Sequence, residues 1–209
     1  MQTMDPAAPA PDGARSSPAA GRNAAVILDV LRAVLPPRGE VLEIAAGTGQ
    51  HAAVFSAALP GLVWRPTDAS DEALDSIAAW RRQGPPNLAA PARLDVEDAG
   101  DWPAPPIDAV VAINLVHISP WRATEALLQG AARVLPRGGL LFLYGPFREA
   151  GRPLAESNAA FDESLKARDP AWGLREVEAV AAEAAGHGLA LTLRKPMPAN
   201  NLSLLFRRT

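Results

Sequence analysis

Glu43 is an acid inside the apolar run Val41 to Ala45, after which the chain turns through Gly47-Thr48-Gly49 into a helix expected to begin near Gln50. A carboxylate in a buried strand must find a polar partner or the strand loses stability. Two glycines flanking one residue allow backbone angles closed to other residues and leave no side chain between the backbone and a bound molecule. The helix start behind them adds unpaired N–H groups and a partial positive charge, which suit a carboxylate or a phosphate. These groups could hold one ligand, with its cationic amine on Glu43 and its anionic end at the turn.

The same turn, Gly47-x-Gly49-x-x-Ala52, also fits the loose dinucleotide pattern G-x-G-x-x-G/A. Asp68 stands at about the spacing at which an acid takes a ribose. A nicotinamide-dependent oxidoreductase and a glycine turn with no ligand therefore remain open readings. His117 follows the fourth apolar run, and the near-neutral pKa of an imidazole suits a general base, with helix capping or packing as the competing use. His51, behind the turn, is a candidate for the pocket wall. Tyr144, Phe147, Asn158, Phe161, Met197, Asn200 and Asn201 come from three segments expected to converge in a mostly apolar cleft with a few amides, as small-molecule sites do. His117 and Tyr144 are the candidate catalytic groups, the others candidates for substrate binding.

Composition narrows the chemistry. The 209 residues include no cysteine, which excludes disulfides, thiolate zinc sites and a cysteine nucleophile. His51, His117 and His187 lie far apart with no H-E-x-x-H spacing, so no metal site is expected. The net charge of −3 gives no polyanion-binding surface, and Arg207-Arg208 reads as a solvated tail, so nucleic acid is not an expected partner. There is no apolar run of membrane-spanning length and no hydrophobic segment of a secretory signal, which leads to the expectation of a soluble, cytoplasmic protein.

The elements that must position these groups follow from pattern. Residues 1–22 are rich in proline and alanine and read as a disordered tail, leaving 23–209 as one domain. A helix is expected after Asn23 as N-cap, with Arg22 and Asn23 placed to close over a ligand. The remaining helices are expected over about Gln50 to Leu59, from Ser70 to about Gln83, from Ser119-Pro120 onward, over Asn158 to Arg168, and over Glu176 to His187. Strands are expected at Val41 to Ala45, Leu62 to Asp68, Ala92 to Val96, Ile107 to Ile113 and Leu140 to Tyr144. Strand and helix alternate five times, which argues for an open parallel α/β sheet with helices on both faces, whose ligands bind beyond the carboxyl ends of the strands. Leu189 to Lys195 and Leu202 to Phe206 should close the sheet as an antiparallel hairpin with a six-residue loop.

This arrangement, with acids ending the second and third strands, resembles the class I S-adenosylmethionine-dependent methyltransferases over about Asn23 to Arg208. The stretches Glu43 to His51, Asn114 to Trp121, Leu143 to Phe147, Ser157 to Phe161 and Pro198 to Ser203 are more similar still to a methyltransferase-like family of unknown function found in bacteria and animals. The resemblance implies a Rossmann-like seven-stranded methyltransferase sheet, five parallel strands plus a C-terminal antiparallel hairpin, and S-adenosyl-L-methionine as cofactor. Ala45, Gly47, Thr48, Gly49 and His51 would border its methionine part, with Glu43 near the amine and the backbone carbonyl of Asn114 also facing it. Asp68 would take the ribose hydroxyls, and Asp95 with Val96 the adenine. Ala45 replaces the first glycine of the family's acid-x-G-x-G-x-G string, a change expected to be tolerated if the chain is still extended there. The implied activity is methyl transfer to a small-molecule acceptor; the alternatives are an NAD(P)-dependent oxidoreductase and a non-catalytic protein that binds S-adenosylmethionine.

Overall fold

A computed structural model describes Ala8–Pro9 and residues 13–209. Its centre is a seven-stranded sheet of β1 (Gly39–Ile44), β2 (Leu62–Asp68), β3 (Ala92–Arg93), β4 (Ala109–Ile113), β5 (Leu140–Gly145), β6 (Leu189–Met197) and β7 (Asn201–Arg208). The spatial order is β3-β2-β1-β4-β5-β7-β6. The first five strands are parallel, and β7 is antiparallel to both β5 and β6. The expected α/β fold with its closing hairpin is what forms.

β4 and β5 are buried at every position, as two-sided coverage of a central parallel strand requires. On one face Val41, Val111 and Phe142 pack under Ile27 and Leu31 of α1 (Pro18–Val34) and Phe55 of α2 (Gln50–Ala58). On the other, Leu42, Val110 and Leu141 meet Leu127 and Ala131 of α4 (Trp121–Val134) and Val180 of α6 (Val177–Gly186). α3 (Asp71–Gln83) starts at Ser70, whose hydroxyl accepts from the Ala73 N–H as the sequence suggested. α5 (Glu156–Arg168) lies in the crossover between β5 and α6. Among the described residues no helix is long and apolar enough to cross a membrane.

Four local expectations change. α1 begins at Pro18, with the Ser17 hydroxyl accepting from Ala20 N–H, so Asn23 lies within the helix and is not its cap. A proline at the first helical position behind a serine is a strong start signal, and here it overrides the Pro/Ala-rich composition of the stretch. Residues 13–22, assigned to the tail, are docked on the body: Arg15 donates its N–H to Ser76 and accepts the Trp80 indole N–H, and the Ser17 N–H is held by the Gln50 side chain. The remainder of the expected tail lies outside the described residues apart from Ala8–Pro9, which pairs with Arg15–Ser16. Ser119 does not cap α4, whose N-cap is Pro120; the Ser119 hydroxyl donates back to the Leu115 carbonyl. The hairpin loop shortens to 198–200, because the strands pair out to Met197 and Asn201. Since β6 runs parallel to the first five strands, that loop stands at their carboxyl ends.

Candidate functional site

A cavity of about 630 Å³ opens beyond the carboxyl ends of β1, β4 and β5, within the range of ~300–1,000 Å³ usual for small-molecule sites. Glu43 closes its floor. The residue is 1 % exposed, and its Oε2 accepts the indole N–H of Trp64 at 2.6 Å. Burial pushes its carboxyl up to about 8; the Trp64 hydrogen bond opposes this and the nearby Asp68 carboxylate adds to it. Glu43 is therefore mostly protonated at neutral pH, ready to ionise when a cation arrives.

Asp68 holds the glycine turn in shape. Its Oδ2 accepts the Gly47 N–H and its Oδ1 the Ser70 N–H, both at 2.9 Å. The Gly47 amide is thus committed to Asp68 and does not face a ligand freely, although Gly47 and Asp68 both line the cavity. Gly49 lies behind the wall, as the left-handed N-cap of α2. A Cβ there would sit 2.9 Å from the Ile77 Cα while φ stays at +80°. Backbone cannot yield as a side-chain tip does, so Gly49→Ala should cost at least ~2 kcal/mol, read as a lower urea midpoint.

Ala45 corrects an expectation. The chain is not extended at this residue: φ is +53°, in the left-handed region. That conformation costs an alanine about 1 kcal/mol relative to glycine. Ala45→Gly should therefore raise Tm by roughly 2–4 °C, in a thermal melt, while widening the cavity that Ala45 lines. Asn114 is also left-handed, at +57°, but asparagine tolerates it.

Thr48, His51 and Asn114 line the cavity. Asp95 and Val96 do not. Asp95 is exposed and accepts the Glu97 N–H in a local turn, and Val96 packs against the core beside Trp102. β3 ends at Arg93, two residues short of the acid, so the strand does not deliver Asp95 to the cavity.

The candidate acceptor residues divide between two spaces. Tyr144, His117, Asn158, Phe161 and Asn201 line the main cavity. Phe147, Met197 and Asn200 instead line an adjoining pocket of about 390 Å³, which shares Asn158 and Asn201 with it. Two hydrogen bonds form the partition: Asn158 Nδ2 donates to the Asn200 carbonyl, and Asn200 Nδ2 to Ser157 Oγ. Phe147 and Met197, at 4 % and 8 % exposure, lie on the far side of that partition and do not line the main cavity.

The histidines differ most from expectation. Burial, with the Arg175 charge adding to it, pushes His117 down to about 3, so a near-neutral base at this position is overturned. Its Nδ1 is buried without a hydrogen-bond partner, and its ring meets Phe161 edge-on. His51 is likewise pushed down by burial, to about 4. It stacks on Phe55, and its Nε2 lies 2.7 Å from Asn23 Oδ1. Both rings are neutral at physiological pH.

Ser17 and Ala20 of the α1 region also line the cavity and escape the sequence reading because the expected tail runs across the helix start; Val26, inside the expected helix, lines it too. The Ser17-Pro18 pair was the available signal. Trp64, the partner of Glu43, carried no signal in spacing, since parallel pairing of β1 and β2 brings the two together across 21 residues.

Residues 14–208 match a family model described as "Protein of unknown function (DUF938)". The chain belongs to that family. Solved structures similar to this DUF938 chain share its fold at low sequence identity. An O-methyltransferase family protein from Burkholderia thailandensis is 20 % identical, with a TM-score of 0.73 over 91 % of this chain and 57 % of its own. Human N-acetylserotonin methyltransferase, in complex with SAM, is 15 % identical, with a TM-score of 0.74 over 91 % and 52 %. A methyltransferase of calicheamicin biosynthesis in its SAH-bound form is 18 % identical, with a TM-score of 0.69 over 90 % and 54 %. The DUF938 chain spans just over half the length of each.

Proposed function

We propose that this protein is an S-adenosylmethionine-dependent methyltransferase acting on a small-molecule acceptor. The observation that carries the reading is Glu43, a buried carboxyl at the cavity floor that accepts the neutral indole N–H of Trp64. No nicotinamide or phosphate chemistry calls for an acid there, whereas the amino end of a sulfonium nucleoside does. Among similar folds, the human enzyme in complex with SAM and the SAH-bound calicheamicin enzyme support the same ligand class. The cofactor would supply an electrophilic methyl: its carbon–sulfur bond breaks as the acceptor's lone pair forms the new bond, leaving a neutral thioether.

The chain's own residues position and exclude water. Glu43 takes the amine, Asp68 braces the glycine turn and offers its remaining lone pairs to ribose hydroxyls, and Asn114 turns its carbonyl inward. Phe161, Asn158 and Asn201 orient the acceptor. Neither His117 nor His51 is poised to remove a proton, so the acceptor arrives as a nucleophile with an available lone pair, such as an amine, a thiolate or a phenolate.

Calorimetric titration with S-adenosylhomocysteine, run beside NADH, tests the reading. Binding of the first at micromolar strength without the second supports it; the reverse result would falsify it and restore the oxidoreductase alternative. Incubating metabolite extract with isotopically labelled cofactor then identifies the acceptor, and a failure of every fraction to take up label despite tight binding would instead make the protein a non-catalytic binder.

A further inference from the structure

Methyl transfer needs two molecules side by side, and one small-molecule ligand alone usually occupies a site of ~300–1,000 Å³. The main cavity, at about 630 Å³, therefore holds a cofactor and only the reacting end of an acceptor. The strand order shows where the rest of that acceptor lies. Glu43 and Asp68 mark the cofactor end of the cavity above β1 and β2, and Tyr144 stands at the end of β5. Farther along the same edge of the sheet comes the adjoining pocket of about 390 Å³, to which β7 supplies Leu202 and β6 Met197. Asn158 and Asn201 line both spaces.

The partition between them is slight. The backbone carbonyl of Asn200 can only accept, so Asn158 must present its NH₂ group to it, at 2.9 Å. The Asn200 NH₂ group donates in turn to Ser157 Oγ, at 3.1 Å and in contact with solvent. Such a bond contributes little net stability, because another acceptor can take its place. A ligand that brings acceptors of its own can thus open the bar. The charges around the adjoining pocket are already engaged: Arg148 pairs with Asp162, and Glu149 with both Arg152 and Arg194. Glu176 is exposed at the N-cap of α6. The two amide donors and the apolar Phe147, Met197 and Leu202 are left to recognise a ligand.

We propose that the adjoining pocket is the second half of the acceptor site. The acceptor is an elongated molecule: its nucleophilic end lies above β4 and β5 beside Phe161, and a neutral, oxygen-bearing tail passes the Asn158–Asn200 bar into the pocket above β7 and β6. The tail's carbonyl, ether or hydroxyl oxygens take over the bonds that the two NH₂ groups now make to the Asn200 carbonyl and to Ser157. That the molecule is a methyl acceptor rests on the methyl-transfer reading; that the pocket takes an uncharged chain of hydrogen-bond acceptors does not.

Of the chain's three methionines, Met197 lines this pocket, so a ¹³C-methyl methionine label, assigned with Met197→Leu, reads it directly. Diglyme, an ether chain that only accepts, should displace the Met197 signal at millimolar concentration. Hexylammonium, of similar length but only a donor, should not. No response to diglyme, or an equal response to both, would overturn the proposal. Asn200→Asp keeps a residue that tolerates the left-handed backbone but loses the donor, and it should weaken the diglyme response about 3–10-fold, the effect of one hydrogen bond. An undiminished response in that variant counts against the exchange of partners at the bar. Ala155→Trp, which puts an indole on the pocket wall, supplies the functional readout. Given isotopically labelled cofactor and metabolite extract, it should transfer label more slowly than the parent, by on the order of 10-fold or more for a misplaced acceptor, with S-adenosylhomocysteine affinity unchanged. Equal transfer would overturn the proposal. If the parent itself fails to bind S-adenosylhomocysteine, the methyl-transfer reading falls, and the diglyme response still decides what the pocket accepts.

Discussion

Glu43→Gln should leave the fold intact while weakening S-adenosylhomocysteine binding by about 10–100-fold, the ~1.5–3 kcal/mol that a hydrogen bond to a charged group contributes. The fold survives because the free protein holds this carboxyl mostly protonated at pH 7, with its pKa near 8, and an amide oxygen can still accept from Trp64. Binding suffers because only glutamate can ionise to meet an ammonium group. Calorimetry in buffers of different ionisation heat should therefore find net proton release on binding at pH 7 by the parent protein, and none by the variant. An unchanged affinity together with no proton release would remove the assignment of Glu43.

The same pKa has a consequence for stability without ligand. Between the ordinary glutamate value of 4.5 and the folded value near 8, the unfolded chain has lost this proton and the folded one keeps it. The unfolded state binds fewer protons there, so the Glu43 contribution falls as pH rises from about 4.5 to about 8 and levels off above. Melts of the parent and the glutamine variant should coincide near pH 5 and separate toward pH 8, with the variant the more stable.

Asp162→Ala should cost roughly 1–3 kcal/mol, as leaving a buried N–H unpaired does, and lower Tm on the order of 5 °C. Asp162, on α5, is 3 % exposed. Its Oδ1 accepts the buried Leu174 N–H at 2.7 Å, and its Oδ2 receives Lys166 at 2.6 Å and Arg148 at 2.8 Å. Alanine leaves that N–H unpaired and frees two cations from the crossover between β5 and α6, the segment that carries Asn158 and Phe161. Urea unfolding should show the loss directly. Asp162→Asn, which can still accept from Leu174, should lose less. Burial alone would raise the Asp162 pKa, but the hydrogen bonds from Lys166, Leu174 and Arg148 outweigh it and hold it below the usual carboxylate range. Its stabilisation is thus complete above the unfolded value and is lost as pH falls below it, which adds to the acid limb of unfolding.

Arg175 shows how the cavity's other wall is held. Its guanidinium donates to the backbone carbonyls of Val116, Ser119 and Ala171 and lies over the Trp121 ring. The loop bearing His117 is thereby tied to the crossover, and the Gly173 N–H donates to the His117 carbonyl in the same seam. The cation needed to fix this loop is the one that, with burial, keeps the imidazole from acting as a base.

Periodicity alone determined the alternation of strands and helices, the parallel sheet and the terminal hairpin, because a buried parallel strand must read as a continuous apolar run and β4 and β5 do. The Gly47-Thr48-Gly49 turn and the out-of-place acid at Glu43 were equally visible, since each breaks a local rule. Contacts between distant segments were not visible. Whether Ala45 is extended, whether Asp95 reaches the cavity, which side of the Asn158–Asn200 partition Met197 occupies, and whether His117 is a base were decided only when the sheet assembled. Each depends on what other parts of the chain bring within a few ångströms: Asp68 bracing Gly47 across 21 residues, Arg175 set against the His117 loop, Asn23 reaching His51. Residue type supplies the group, but burial and hydrogen-bond partners set its charge and direction, and those are properties of the packed chain.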